Sequence, residues 1–520
     1  MNIKILPRVF IGVVSMLIFV SGGITQPKIE FSELSGFTEK PIVLGQTPNL
    51  FYCLYPADSA AQLVIYNTDL KEQSKINWYS IVKPEPDAAY QPFTLGNHLI
   101  LLTHKRNESI VNISCKILDE NGKTVSEKNL ITDYSYKGQL VQPYEVEISK
   151  NGKYILFYRA IKLNEENIML KGYLFDNEWN NLKQFSVPID KNETGDSWDG
   201  AYVDIEGNIH SIVYTNADSW KLGSRISIYT ISTESDEASS EQIEVLKKRL
   251  FNYSISEDTI ARLIRLQATV SWQHQKDALA GLAFISIPYS RTQKIEYASY
   301  QFSPDQKKQL AKNVTAEKKL ISNTIIDFPS SFAIGGSFFT TINVHGDYLE
   351  KDNQMPNPKK NSKSTDELYI YRPTLDYINR NGKLEGNRRP EFPATTDQWL
   401  KRRDNFQPVT ENLAFFKNNQ KGLLQSSATH VVKKDVLPFY DDGLFAIIKN
   451  DSLQFIGYLI SINGPVLTLL TENKDGVKRI EAPGNNFIQF SYPTRIDDNK
   501  RLFPYIDIKS NQYGLARITF

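Results

Sequence analysis

The chain is poor in the residues that bind metals or form covalent cross-links. Its 520 residues include 2 Cys, 6 His and 4 Met. The His and Cys show no ligand-like spacing, which argues against a structural zinc site. Two cysteines also exclude a disulfide-dense scaffold. Excess charge is absent: Lys and Arg total 60 against 59 Asp and Glu, a formal net charge of +1. Nucleic-acid binding depends on concentrated positive charge, and this balance gives no case for it. After residue 20 no apolar run reaches the roughly 20 residues that a membrane-spanning helix needs. No Gly-X-Ser-X-Gly elbow and no phosphate-binding glycine loop occurs. The acidic turns Asp441-Asp442-Gly443 and Asp497-Asp498-Asn499 lack the alternating ligand spacing of a calcium loop. The sequence therefore predicts no metal, no cofactor and no nucleic-acid partner.

The N-terminus reads as a secretion signal. Lys4 and Arg8 form a positive start, Val9 to Val20 is almost wholly apolar, and Ser21, Gly22 and Gly23 supply the small residues of a cleavage site. Residues 1–23 are expected to be removed, leaving 24–520 as a single exported, secreted or periplasmic domain. In an oxidising compartment Cys53 and Cys115 have two readings. They could pair and close a loop of about 60 residues, worth up to roughly 4 kcal/mol, or remain separate buried thiols. Asn-X-Ser/Thr triplets at Asn107, Asn112, Asn192, Asn252, Asn313 and Asn450 would be surface sites if the source glycosylates asparagine.

What the chain has in quantity is apolar and aromatic residues, at 41% and 12%, with 27 Tyr and 27 Phe. That is enough for a large core, and aromatic and β-branched side chains suit pleated surfaces. Short alternating runs are separated by polar turns. Asn121-Gly122, Asn151-Gly152, Glu206-Gly207, Asn381-Gly382 and Asp475-Gly476 each place glycine where a hairpin needs positive φ. Hairpin units recur at intervals of roughly 40 residues, about the period of a four-stranded propeller blade. The predicted fold class is all-β, a β-propeller of about 6–8 four-stranded blades with a short helical insertion. Stacked β-sandwiches are the rival. The C-terminal hairpin, Phe503 to Ile508 and Gly514 to Phe520, suits a terminus tied into a sheet.

Three stretches depart from this pattern. Residues 241–267 contain apolar residues at helical spacing, and Ser254 with Glu257 reads as a capping box. This is the expected helical insertion. Residues 350–367, rich in Lys and Pro, and 380–408, carrying Arg388, Arg389, Lys401, Arg402 and Arg403, are expected as exposed loops.

Gly195 to Ile231 contains GDSWDGAYVDIEGNIHSIVY and then RISIYTIS, and Trp272 to Tyr300 has a similar shape. These segments resemble blades of the sialidase-like, BNR-repeat β-propellers. The resemblance implies the fold and, together with the expected export and the aromatic-rich strands, a glycan ligand. It carries over no catalytic set, because no Ser-X-Asp-X-Gly-X-X-Trp box occurs. Asp196-Ser197-Trp198-Asp199-Gly200 has the residue types in another order.

Alternation along a strand puts His210, Ile212 and Tyr214 on one face, and Trp272 with His274 on one face. Trp198, Trp220 and Trp399 sit in polar contexts, where a flat ring can stack on a sugar. Candidate ligand-binding residues are Trp198, Asp199, His210, Tyr214, Trp272, His274 and Arg291. The functional expectation is a binding protein with a glycan at one face of the propeller. The alternatives are a glycoside hydrolase or polysaccharide lyase on the same scaffold, and an envelope or surface scaffold with a protein ligand.

Overall fold

The computed structural model describes residues 27–520 apart from 57–60, 83–87, 107–108, 135–143, 165–166, 191–196, 215–222, 236–237, 273–277, 291–292, 312–325, 328–330, 346–376, 379–383, 386–408, 435–443, 450–451, 462–463, 472–476, 481–485, 489–493, 497–498 and 508. The expected secretion signal, the sequons other than Asn112 and Asn252, and almost all of the two expected loops lie outside the described residues.

Side-chain alternation explains the strands. Asn181–Asp190 alternates exposed and buried positions, with Phe185, Val187 and Ile189 turned inward, as an outer strand with one covered face should. Gly281–Pro288 is buried at every position, because sheet packs against both of its faces.

The described strands form eight antiparallel sheets in chain order. They are blade 1 (42–77), blade 2 (88–134), blade 3 (145–190), blade 4 (197–246), blade 5 (248–301), blade 6 (326–434), blade 7 (444–479) and blade 8 (486–519 with Lys28–Phe31). Within a blade the strands are lettered a to d in spatial order. The d strands are the more exposed, which places the a strands toward the centre.

Eight apolar clusters fill the spaces between neighbouring blades, and they close a ring. Tyr52 and Leu101 share the cluster between blades 1 and 2, and Ile113 and Phe157 that between blades 2 and 3. The series continues through Leu174 with Val203, Ile228 with Leu266, and Phe284 with Phe338. It ends with Phe415 and Phe455, then Leu469 and Phe503, and finally Leu515 of blade 8 with Val64 of blade 1. The molecule is an eight-bladed β-propeller. Period-two alternation makes each blade serve two clusters: Tyr52 and Leu54 face blade 2, while Phe51, Cys53 and Tyr55 face blade 8.

The ring is fastened by its ends. Lys28–Phe31 is the outermost strand of blade 8, in register from Lys28 with Thr519 to Phe31 with Ala516. Arg517 Nε donates to Glu30 Oε2 at 2.9 Å across that pair. The C-terminal hairpin forms as expected, with Phe503 opposite Ala516.

Two expectations are corrected or resolved. Residues 241–267 are not helical. They belong to the strands Ala238–Leu246, Lys248–Asp258 and Leu263–Trp272. Ile243 and Val245 alternate toward the core between blades 4 and 5, and Lys247 at φ 60° reverses the chain between blades. Ser254 and Glu257 pair with Gln267 and Ile264 in a ladder rather than capping a helix. Pairing with neighbouring strands overrides the local helical spacing. Helices among the described residues lie at Trp78–Ile81 and Pro304–Ala311. The cysteines are unpaired, buried in different clusters, Cys53 between blades 8 and 1 and Cys115 between blades 2 and 3.

Blade 6 carries a long excursion between Ser337–His345 and Val409–Asn418. A small hairpin within it, Tyr377–Ile378 with Leu384–Glu385, adds to strand a of blade 2 through Ile378 opposite Tyr90. Blades 2 and 6 are four apart in a ring of eight, so the excursion reaches the opposite side.

Candidate functional site at the loop end of the propeller

The two ends of the ring differ in how they are built. Strands a and b, and strands c and d, connect at one end, here the turn end. Strand b connects to c, and d to the next blade, at the other, the loop end. At the turn end a single five-residue device recurs. In Asp119 to Lys123 the Asp119 Oδ1 accepts from the amides of Asn121 and Lys123, and the amide of Gly122, at φ 72°, donates to the Asp119 carbonyl. Asn67, Asp176, Asp204 and Asn419 lead identical turns. Each turn satisfies its own backbone. Longer connections leave from the loop end: Tyr134 to Glu145, Tyr214 to Gly223, Gln301 to Ile326, His345 to Val409 and Lys434 to Leu444. Variable connections held on a rigid ring are the usual location of ligand contacts.

At the loop end, between blades 2 and 3, lies a cluster of ionisable groups. Asp133 ends the d strand of blade 2, Tyr144 precedes blade 3, and Arg159 and Lys171 lie on strands b and c of blade 3. Asp133 Oδ2 accepts from Arg159 Nη2 at 2.6 Å and from the Tyr144 hydroxyl. Asp133 Oδ1 accepts from Lys171 Nζ at 2.6 Å and from the Tyr134 amide at 2.9 Å. Burial alone would raise the Asp133 carboxyl. The bonds from Lys171 and Tyr144 and the charge of Arg159 outweigh it and hold the group below the usual carboxylate range. Burial, and then the bond to Asp133, push the Tyr144 hydroxyl up. Arg159 lies 5.1 Å from the Tyr144 ring centroid, and its Nε has no partner among the described residues. Two cations thus share one carboxylate. Arg159 is 3% exposed and anchors the cluster, while Lys171 at 21% reaches the surface. Beside it Tyr134 stands 64% exposed.

The sequence-derived candidates divide between the two ends. Trp198 is at the loop end of blade 4 and half-buried. Its Nε1 donates to Ser211 Oγ at 2.8 Å, and its ring meets Tyr158 edge-on at 6.2 Å. Tyr158 in turn donates to Glu145 Oε2 at 2.8 Å. Trp272 ends strand b of blade 5 at the same end, half-buried, with Lys248 Nζ 5.4 Å from its ring centroid. Burial lowers the Lys248 pKa. Tyr214 also lies at the loop end, but it is buried and stacked on Tyr253 at 4.5 Å, within the core between blades 4 and 5. The expected ligand-facing role of Tyr214 is corrected for that reason.

His210 lies at the turn end and is fully buried. Its Nε2 is 3.0 Å from Asp204 Oδ2, a carboxylate acceptor, which leaves Nδ1 to accept from the Thr230 hydroxyl at 3.2 Å. Both ring nitrogens are engaged, so His210 clamps the Asp204 turn to strand c rather than meeting a ligand. The side chain of Asp199, and all of His274, Arg291, Trp220 and Trp399, lie outside the described residues. Sequence reasoning missed Tyr134, Asp133, Arg159, Lys171 and Lys248. One signal was available: the aromatic-rich Asp133-Tyr134-Ser135-Tyr136 at a strand end.

The closed ring of eight antiparallel sheets defines the class of protein: an eight-bladed β-propeller. Among solved structures the chain is similar to the WD40 domain of SCAP from fission yeast. Identity is 10% and the TM-score 0.39, over 95% of this chain and 98% of that one. It is also similar to prolyl oligopeptidase B from Galerina marginata, at 9% identity and a TM-score of 0.34 over 92% of this chain. The propeller spans 55% of that longer chain. No protein-family model and no curated protein matches the sequence.

Proposed function

We propose that this chain is an exported binding protein that holds a glycan at the loop end of its propeller. The observation that carries the reading is the arc of surface groups on blades 2 to 5. Tyr134, Trp198 and Trp272 offer partly or largely exposed rings, beside the ammonium groups of Lys171 and Lys248. Sugars present C–H faces to rings and hydroxyls to charged groups, so both halves of the arc have a use. The BNR-like sequence of blades 4 and 5 and the signal-like residues 1–23 agree with this role.

The test is a thermal-shift screen of the full chain against neutral and acidic oligosaccharides. A ligand at about 100 times its Kd should stabilise the fold by roughly 2.7 kcal/mol. Trp272→Ala and Tyr134→Ala should each weaken binding about tenfold, the loss expected for truncating an aromatic anchor. No shift across the panel would overturn the glycan and move the loop end to a protein ligand.

A further inference from the structure

The seam between blades 5 and 6 buries a guanidinium with little to hold it. Arg265, on strand b of blade 5, is 0% exposed and lies 4.8 Å from the ring centroid of Phe338 in blade 6. Its Nη1 donates to Ser286 Oγ on the adjoining strand. Nε and Nη2 have no hydrogen-bond partner among the described residues, and neither has the neighbouring Ser256 hydroxyl. The carboxylate that faces it, Asp258, is 3.8 Å from Nη2, too far for a hydrogen bond. Asp258 is already committed to the amides of Ala261, Gly335 and Gly336 at 3.0, 3.1 and 2.9 Å. Asp258 and Glu296 act on it as counter-charges, but no carboxylate hydrogen-bonds it, and a buried cation short of hydrogen-bond partners favours a further acceptor nearby.

Ser286 is also a wall of a cavity of about 460 Å³ at the outer rim of this seam. Glu296, Tyr297 and Ala298 of blade 5 line it, with Gln420 and Lys421 from the facing turn of blade 6. The Ser286 oxygen accepts from Arg265, and its own proton has no acceptor among the described residues. The Lys421 ammonium is likewise unpaired among them, whereas its backbone amide is held by Asn419.

We propose that this cavity binds an anionic group, a carboxylate or a sulfate. The Ser286 hydroxyl and Lys421 are the direct donors, and Arg265 is the fixed charge behind Ser286. Glu296, on the same rim, opposes the anion and keeps its affinity low. The site lies near the turn end, so it stands or falls independently of the loop-end glycan.

The probes are sodium sulfate and sodium acetate, each titrated into the full chain at constant ionic strength with chloride as balance. Melting temperature is the readout. A saturable rise with either ion is expected, and the better ion identifies the preferred group. Ser286→Ala and Lys421→Ala should each weaken the midpoint about tenfold, and Glu296→Gln should tighten it several-fold. Ser286→Ala carries the test because Arg265→Gln could fail to fold. Three results would overturn the proposal: no saturation with either ion, equal midpoints in wild type and both donor variants (an adventitious ion only), or weaker binding in Glu296→Gln.

Discussion

The Glu257 carboxylate accepts a hydrogen bond from the Tyr289 hydroxyl of its own blade. The same oxygen accepts from the Ile205 amide of blade 4 at 3.1 Å, so one carboxylate joins two blades at the turn end. Burial raises its pKa above the usual 4.5, against the lowering effect of these two bonds and of Lys150. A raised folded-state pKa means a contribution that is full below the unfolded value and lost as pH climbs through the folded one. Glu257→Gln keeps an acceptor oxygen without the charge. The variant should melt higher than wild type at pH 7 and show a flatter dependence between pH 4 and 7. Parallel melting curves across that range would refute the assignment.

Asp133 has the opposite sign. Its folded-state pKa is lowered, so its contribution is present above the unfolded value and lost as pH falls through the folded one. Asp133→Asn leaves Arg159 and Lys171 without their shared counter-charge. Breaking a buried ion pair from one side costs about 3 kcal/mol. Denaturant titrations at pH 7 should show a loss of that order, and the gap between variant and wild type should narrow toward pH 3.

Cys53 and Cys115 should be inert in the folded protein. Burial pushes both thiols up, Cys115 to about 12, so little thiolate forms at neutral pH. A chromogenic disulfide reagent should find no reactive thiol in the native state and both after denaturation. A reducing agent should leave the melting temperature unchanged. A reducible Tm would point instead to a cross-link.

Asp204→Ala should separate the structural reading of His210 from a functional one. The substitution removes acceptors for two backbone amides and for Asn208, and it strips His210 of its carboxylate. Loss of such a buried network costs about 2 to 4 kcal/mol. Glycan affinity measured at low temperature should not change. A large affinity loss with intact stability would return His210 to the ligand site.

The fold was legible where chemistry is local. Asn121-Gly122 and Glu206-Gly207 announced their hairpins because the turn is stabilised by its own residues, and Gly122 and Gly207 take positive φ as expected. Trp179 and Leu70 occupy the same left-handed position without glycine, and there the polar runs led by Asp176 and Asn67 marked the turns. Ile243 and Val245 fit both a helix and a strand, and only the partner strand Gly223–Ile231 decides between them. The site was less legible. Trp198 and Trp272 were suggested by residue type and do lie at the loop end. His210 and Tyr214 have the same alternation as surface residues, but the adjoining blades cover them. Asp133 and Lys171 are 38 residues apart, and the crossing from blade 2 to blade 3 brings them together.

The placement of Lys28–Phe31 has a consequence for assembly. Blade 8 cannot be completed until the strand Gln512–Thr519 meets Lys28–Phe31, which precedes all the other blades in the sequence. Blades 2 to 7 can form in the order of synthesis, each roofing the one before it. Through all of that time blade 1 keeps an uncovered apolar flank at Phe51, Cys53 and Tyr55. The arc is therefore at its stickiest just before it becomes a circle, and a partner that shields that flank would raise the yield of folded protein more than one that acts on any finished blade.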